Sequence, residues 1–161
     1  MPADKMNMSQ ALERILEFLS EIGLEAESCS LPDKTFLPGI RVTMGKLQYD
    51  PEKLLYPGDL LHEAGHLAVL PPEERETLDG DLGNEAGNEM AAIAWSFAAC
   101  TYLGLDLELL FHPDGYKGDS ESLIANFSNG DYFGVPVLEW RGMTTSHGEK
   151  SYPGMMHWLC P

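Results

Sequence analysis

Positive charge is scarce in this sequence. Ten Lys and Arg stand against 26 Asp and Glu, a formal net charge of −16 over 161 residues. The few basic residues are scattered rather than clustered. Nucleic acid and anionic membrane surfaces are therefore excluded as expected partners, because both are held by grouped Lys and Arg. The acidity itself reads as solubility and self-repulsion. Cysteine is also thin. Cys29, Cys100 and Cys160 are odd in number, far apart and without a CxxC pair. That argues against a disulfide framework and against a thiolate zinc site, and it leads to the expectation of a reducing, cytoplasmic setting. No run approaches the ~18 apolar residues of a membrane span. Residues 1–10 lack the apolar core of a signal peptide. Repeats, low-complexity segments and breaks in composition are missing too, so a single domain over residues 1–161 is expected.

What is present is an apolar, helix-compatible run at residues 59–70 with His62-Glu63-Ala64-Gly65-His66 at its centre. Residues four apart on an α-helix lie on one face, so His62 and His66 offer both imidazoles to one metal ion. Glu63 projects about 100° around the same helix, which sets a carboxylate beside the open position of that metal rather than on it. Two histidines and a base form half of a hydrolytic zinc site. Leu60, Leu61, Ala64, Leu67 and Ala68 supply buried faces. Pro57-Gly58-Asp59 marks the helix start, and Pro71-Pro72 forbids its continuation.

The rest of the chain supports that helix. Leu12, Ile15, Leu16, Leu19 and Ile22 recur at three and four, predicting an amphipathic helix over residues 9–23 with Ser9 as N-cap and Gly23 as stop. Residues 25–38 read as loop. Residues 39–44 read as a strand with Ile40, Val42 and Met44 on one face, a turn at Gly45-Lys46 and a second short strand at 47–49. A strand there reads either as an ordinary sheet strand or as an exposed edge open to β-addition by an extended peptide. Residues 71–83 are a polar, acidic connection, expected to be solvated. A long helix follows to Leu103, apolar nearly all round after Glu89 and hence central.

A carboxylate on such a helix is costly unless it is paired or bound to metal, so the third ligand is sought here. Glu85 and Glu89 lie 19 and 23 residues after His66 and one turn apart on one face. Glu89 is favoured: it sits deeper in the apolar segment, and small Ala92 and Ala94 allow close helix approach. Glu85, near Gly87, is the competitor, with Asp81 or His112 behind it. Beyond Leu103, Asp106 opens a short helical turn and Pro113-Asp114-Gly115 signals a turn. His112, Tyr116 and Lys117 are candidates to polarise a substrate carbonyl or hold an oxyanion. Residues 120–127 read as a short helix. The tail from Tyr132 is too apolar for a disordered linker and either wraps the core or lines a cleft. His147 and His157 within it read as surface or packing residues rather than ligands.

The HExxH segment followed by a glutamate on the next helix resembles the gluzincin division of the zincin metallopeptidases. Glu89-Met90-Ala91-Ala92-Ile93-Ala94-Trp95, a Glu-x-x-Ala-x-x-aromatic pattern, resembles the ImmA/IrrE family of small cytoplasmic metallopeptidases. The resemblance covers roughly residues 40–99. It implies an α+β, minimal zincin-like fold: a small, mostly antiparallel sheet packed on the HExxH helix and the glutamate-bearing helix. Asn84-Glu85-Ala86-Gly87-Asn88-Glu89 also resembles the Asn-Glu-x-x-x-Asp segment of thermolysin-like enzymes, which instead makes Glu85 the ligand. The DNA-binding domain often attached to ImmA/IrrE proteins has no counterpart in this sequence, so a repressor-cleaving role is not carried over.

The expected chemistry is zinc-dependent peptide-bond hydrolysis. His62, His66 and Glu89 hold Zn²⁺, Glu63 is the general base, and a peptide or protein is the substrate. The rival is a non-catalytic zinc-binding regulatory or interaction domain, with Trp140 or Trp158 filling the site. Oligomeric state and substrate identity are not legible.

Overall fold

The computed structural model describes residues 7–79 and 86–161. Among them the chain forms seven α-helices and one three-stranded sheet, an α+β arrangement. Helix α1 (Met8–Ile22) opens at Asn7, not Ser9: the Asn7 side chain accepts from the Gln10 amide at 2.9 Å while Gln10 reaches back to the Asn7 amide. A two-way capping box satisfies two orphan amide groups, which a lone Ser9 hydroxyl does not match. The helix stops at Gly23 in the left-handed region, as expected. Its buried stripe is Ala11, Ile15, Phe18 and Leu19, with Leu12, Leu16 and Ile22 at the flanks.

Strands β2 (Ile40–Thr43) and β3 (Lys46–Tyr49) form the expected antiparallel hairpin, but the turn falls at Met44-Gly45. Both turn residues have positive φ, 47° and 76°, as a two-residue hairpin turn demands. Met44 therefore leaves the buried face and is 57 % exposed, while Ile40 and Val42 remain inside. Strand β1 (Ala26–Ser28) lies in the stretch read as loop. It pairs in parallel with β3, Ala26 opposite Leu47, so the sheet has order β1-β3-β2 and is mixed rather than mostly antiparallel. Only one face of so short a strand is half-buried, and no alternation marks it.

The HExxH run forms α2 (Gly58–Ala68), every residue of which is buried. After it, α3 (Pro72–Thr77) replaces the expected irregular connection, with proline in the first turn where its missing N–H costs nothing. Arg75 of α3 donates to the carbonyls of Leu67 and Leu70, giving partners to the last turn of α2. Helix α4 (Ala86–Leu103) packs more extensively on α2 than any other pair of elements does on each other. Gly65 makes that approach possible. A Cβ there would lie 2.9 Å from the Ala92 carbonyl oxygen and 3.2 Å from the Trp95 ring.

Three shorter helices complete the chain: α5 (Leu107–Leu110), capped by Asp106, then α6 (Ser120–Ser128) and α7 (Val135–Trp140). The apolar tail wraps the core. The Tyr152 hydroxyl donates to the Ala94 carbonyl at 2.6 Å, Trp95 Nε1 to the Trp158 carbonyl at 2.8 Å, and the Cys160 amide to the Ala68 carbonyl at 2.8 Å. The tail thus ties the two central helices together from behind. Among the described residues, no helix is long and apolar enough to cross a membrane.

Candidate metal centre

Helix α2 brings His62 and His66 to one face, their rings 4.9 Å apart and nearly perpendicular. The first turn of α4 sets Glu89 opposite them. Glu89 Oε1 lies 3.2 Å from His62 Nε2, and Oε2 lies 2.8 Å from His66 Nε2. One atom from each of the three side chains falls within 4.8 Å of the others. These are the three side chains the sequence singled out as ligands, and among the described residues Glu89 is the acid within ion-pair distance of both histidines. Glu85 and Asp81, the competing acids, lie outside the described residues. Glu89 is less buried than the apolar surroundings of α4 led us to expect: a third of its side chain is exposed, whereas His62 and His66 are inside.

The donor set suits a divalent zinc-like ion. Two imidazole nitrogens and one carboxylate are the ligands of an open, three-protein-ligand site. Tetrahedral ligands at roughly 2.0–2.2 Å from a metal stand about 3.3 Å apart, close to the separations between Glu89 and the two histidines. The Glu89 carboxylate meets both ring nitrogens directly. Burial raises the Glu89 pKa, but the hydrogen bonds from His62 and His66 outweigh it and hold the group well below the usual carboxylate range. Burial likewise opposes charge on His62, yet Glu89 prevails and its pKa rises.

Glu63, 5 % exposed, lies on the same helix and interacts electrostatically with His62, His66 and Glu89. Burial raises its pKa, the neighbouring His62 and His66 working against the shift. A carboxylate lifted toward neutral exchanges protons more readily at working pH.

The two remaining expected catalytic residues fare differently. His112 is buried, its Nε2 2.7 Å from Asp59 Oδ1 and its ring stacked on Tyr56 at 3.7 Å. The Tyr56 hydroxyl in turn donates to Asp114. His112 is therefore committed to Asp59 rather than free for a substrate through that nitrogen. Tyr116 lies edge-on to His62, ring centroids 5.3 Å apart, and its hydroxyl is buried without a partner. It holds φ at 57°, a conformation costly for a bulky residue and met most often at functional sites. Burial, followed by the charges of Asp59, Glu89 and Glu63, pushes its pKa well above the ordinary tyrosine value. The hydroxyl stays protonated, as a donor must. The Lys117 side chain lies outside the description.

Asp59 is the site residue that sequence reasoning missed. It served only as a helix-start signal, although an acid three positions before His62 on an apolar helix face is itself a signal. His147 and His157, read as surface or packing residues, are exposed. Trp158 packs on Phe18, Trp95 and Tyr102, while Trp140 is 77 % exposed and stacks on Arg141, so neither plugs the site. All three cysteines are free thiols. No family model, curated protein or solved structure matches the chain.

Proposed function

We propose that the chain is a zinc-dependent peptide hydrolase with a minimal zincin-like fold, similar to the small ImmA/IrrE metallopeptidases. The observation that carries this reading is Glu89 facing both histidines of the HExxH helix, with Glu63 close enough to interact electrostatically with all three. His62, His66 and Glu89 would hold the ion. Zinc held there would supply Lewis acidity to the attacking water and the scissile carbonyl. Glu63 accepts a proton from the water that adds to the scissile carbonyl, and returns it to the amine nitrogen as the C–N bond breaks. The Tyr116 hydroxyl donates to the carbonyl oxygen as charge develops on it. The substrate is a peptide or protein segment. The free thiols accord with a cytoplasmic setting.

Zinc per chain and hydrolysis of a mixed peptide library test this together. The wild type should carry close to one zinc, and His62→Ala or Glu89→Ala should lose it. Glu63→Gln should keep the metal and lose activity by about 10²–10⁴-fold. Undiminished hydrolysis by Glu63→Gln sinks the mechanism. A wild type that takes up no zinc sinks the metal site. Bound zinc with no hydrolysis of any peptide favours the regulatory domain instead.

A further inference from the structure

The loop that carries Tyr116 leaves α5 and is fastened to the first turn of α2, just ahead of His62. A Cβ on Gly58 would lie 2.8 Å from the Leu110 Cα and closer still to the Leu109 carbonyl oxygen. The backbones of α2 and α5 therefore meet where only glycine fits. One residue on, Asp59 Oδ1 meets His112 Nε2 at 2.7 Å, and both side chains are buried. The pair is exclusive: Asp59 Oδ2 and His112 Nδ1 have no hydrogen-bond partner among the described residues. Tyr56 closes it from outside, its ring centred 3.7 Å from that of His112 and its hydroxyl on Asp114. On the other side Gly115 lies against the His112 ring, where a Cβ would stand 3.0 Å from Cε1. The Gly115 amide donates to the His112 carbonyl at 3.2 Å. The next residue is Tyr116, with φ at 57° and its buried hydroxyl unpartnered. A conformation of that cost persists only where the surroundings over-determine it. The fastened residues before Tyr116 supply that constraint.

We propose that Asp59, His112 and Tyr56 are positioning residues, which clamp the turn over residues 112–116 to the ligand helix and so hold the Tyr116 hydroxyl where the reaction needs a donor. The inference rests on the peptide-hydrolase reading above. A donor stabilises a developing oxyanion only if it stands ready within about 0.5 Å of the productive place. A loop by itself does not hold that tolerance, whereas a packed helix does. Helix α2 already fixes His62 and Glu63. A loop fastened to its first turn shares their frame, and the Tyr116 ring accordingly meets that of His62 edge-on at 5.3 Å. The clamp acts through Tyr116, so its loss should be silent once that hydroxyl is gone.

The test is a double-mutant cycle on the zinc-loaded full chain, reading kcat and KM for peptide hydrolysis. Tyr116→Phe should lower kcat about 10²–10³-fold. Asp59→Ala and His112→Ala should each lower it about 10–100-fold, with KM within about twofold of wild type and zinc per chain unchanged. Asp59→Asn keeps an oxygen for His112 and should recover most of the loss. Added to Tyr116→Phe, Asp59→Ala should cost no more than about twofold further. A merely structural pair predicts the same loss in both backgrounds. That outcome, or a loss confined to KM, overturns the proposal and leaves the hydrolase reading standing. A wild type without zinc or hydrolysis overturns the reading itself. A second readout needs no turnover: the nuclear Overhauser contact between the rings of Tyr116 and His62 in metal-free protein. It should be present in wild type and lost in Asp59→Ala, and its persistence there refutes the clamp. Should both alanine variants fail to fold, Tyr56→Phe decides, since it removes only the hydroxyl on Asp114. It should lower kcat about threefold in the wild-type background and leave it unchanged beside Tyr116→Phe. No change in either background refutes the clamp.

Discussion

Asp50 and Asp59 are two aspartates with the same 3 % exposure and opposite fates. Asp50, just after β3, has both oxygens occupied: Oδ2 accepts the Leu31 amide and Oδ1 the Glu52 amide, each at 2.9 Å. The Leu31 hydrogen bond, ahead of the burial that opposes it, lowers the Asp50 pKa. Asp59 has one oxygen on His112 and the other bare, and burial raises its pKa against the pull of His112. A buried charge that the backbone satisfies is a fastening, here holding the 31–38 loop to the sheet. A buried carboxylate with one oxygen on a histidine and the other bare lacks that backbone anchorage. Burial alone does not distinguish the two; the count of hydrogen bonds does.

The comparison breaks most visibly at Asp50. Replacing it with Ala orphans two amides at once, so the denaturant midpoint should fall further than for any other change named in this section. Zinc per folded chain should not change. If zinc binding falls with it, the two regions are not independent and the distinction fails.

Gly65→Ala tests the other region by geometry instead of charge. The added methyl meets the Ala92 carbonyl and the Trp95 ring, which should cost about 1–3 kcal/mol. It should also weaken zinc, because α4 carries Glu89 and must shift. Full stability with full zinc affinity would show that the close approach of α2 and α4 is not needed.

The pH dependence sharpens the contrast because the signs are opposite. The folded pKa of Asp50 lies below 3.8, so its contribution is fully present above that value and is lost as pH falls through the folded pKa. The folded pKa of Asp59 lies above 3.8. There the folded state binds the proton more tightly, and stability declines as pH rises from 3.8 through the raised value. In metal-free protein with chelator, Asp50→Asn should flatten the acid limb of a midpoint-against-pH curve. Asp59→Asn should flatten the decline above it. Identical curves for the two variants would refute the distinction.

The smallest effect expected is that of Arg75→Ala. It removes the partners of the last α2 carbonyls and of the Cys160 carbonyl, at about 1–2 kcal/mol. Zinc affinity should stay within about twofold of wild type, since the partners affected are backbone carbonyls and not ligand side chains. A larger fall in zinc would mean that the tail helps to set the ligand geometry.

The helix that carries His62, Glu63 and His66 was legible because its information is local. Spacing of four sets a shared face, and flanking prolines set the ends. The preference for Glu89 followed from the cost of a carboxylate on an apolar helix, a rule that needs no partner to be named. Strand β1 was not legible. Ala26-Glu27-Ser28 has no alternation of its own and exists because β3, about twenty residues on, offers an edge in register. The fate of His112 was equally hidden, since its partner lies 53 residues earlier.

By itself, then, the sequence determined which side chains could be brought together: two histidines one turn apart, a glutamate between them and an acid on the next apolar helix. Tertiary structure alone decided which atoms are satisfied. It aimed Glu89 at both imidazoles, tied His112 to Asp59, left the Tyr116 hydroxyl buried and free, and strapped the tail behind the central helices instead of across the site. The physical reason is that residue type and spacing fix what a side chain offers, whereas a hydrogen bond also needs a partner. In this chain most of those partners come from elements distant in sequence.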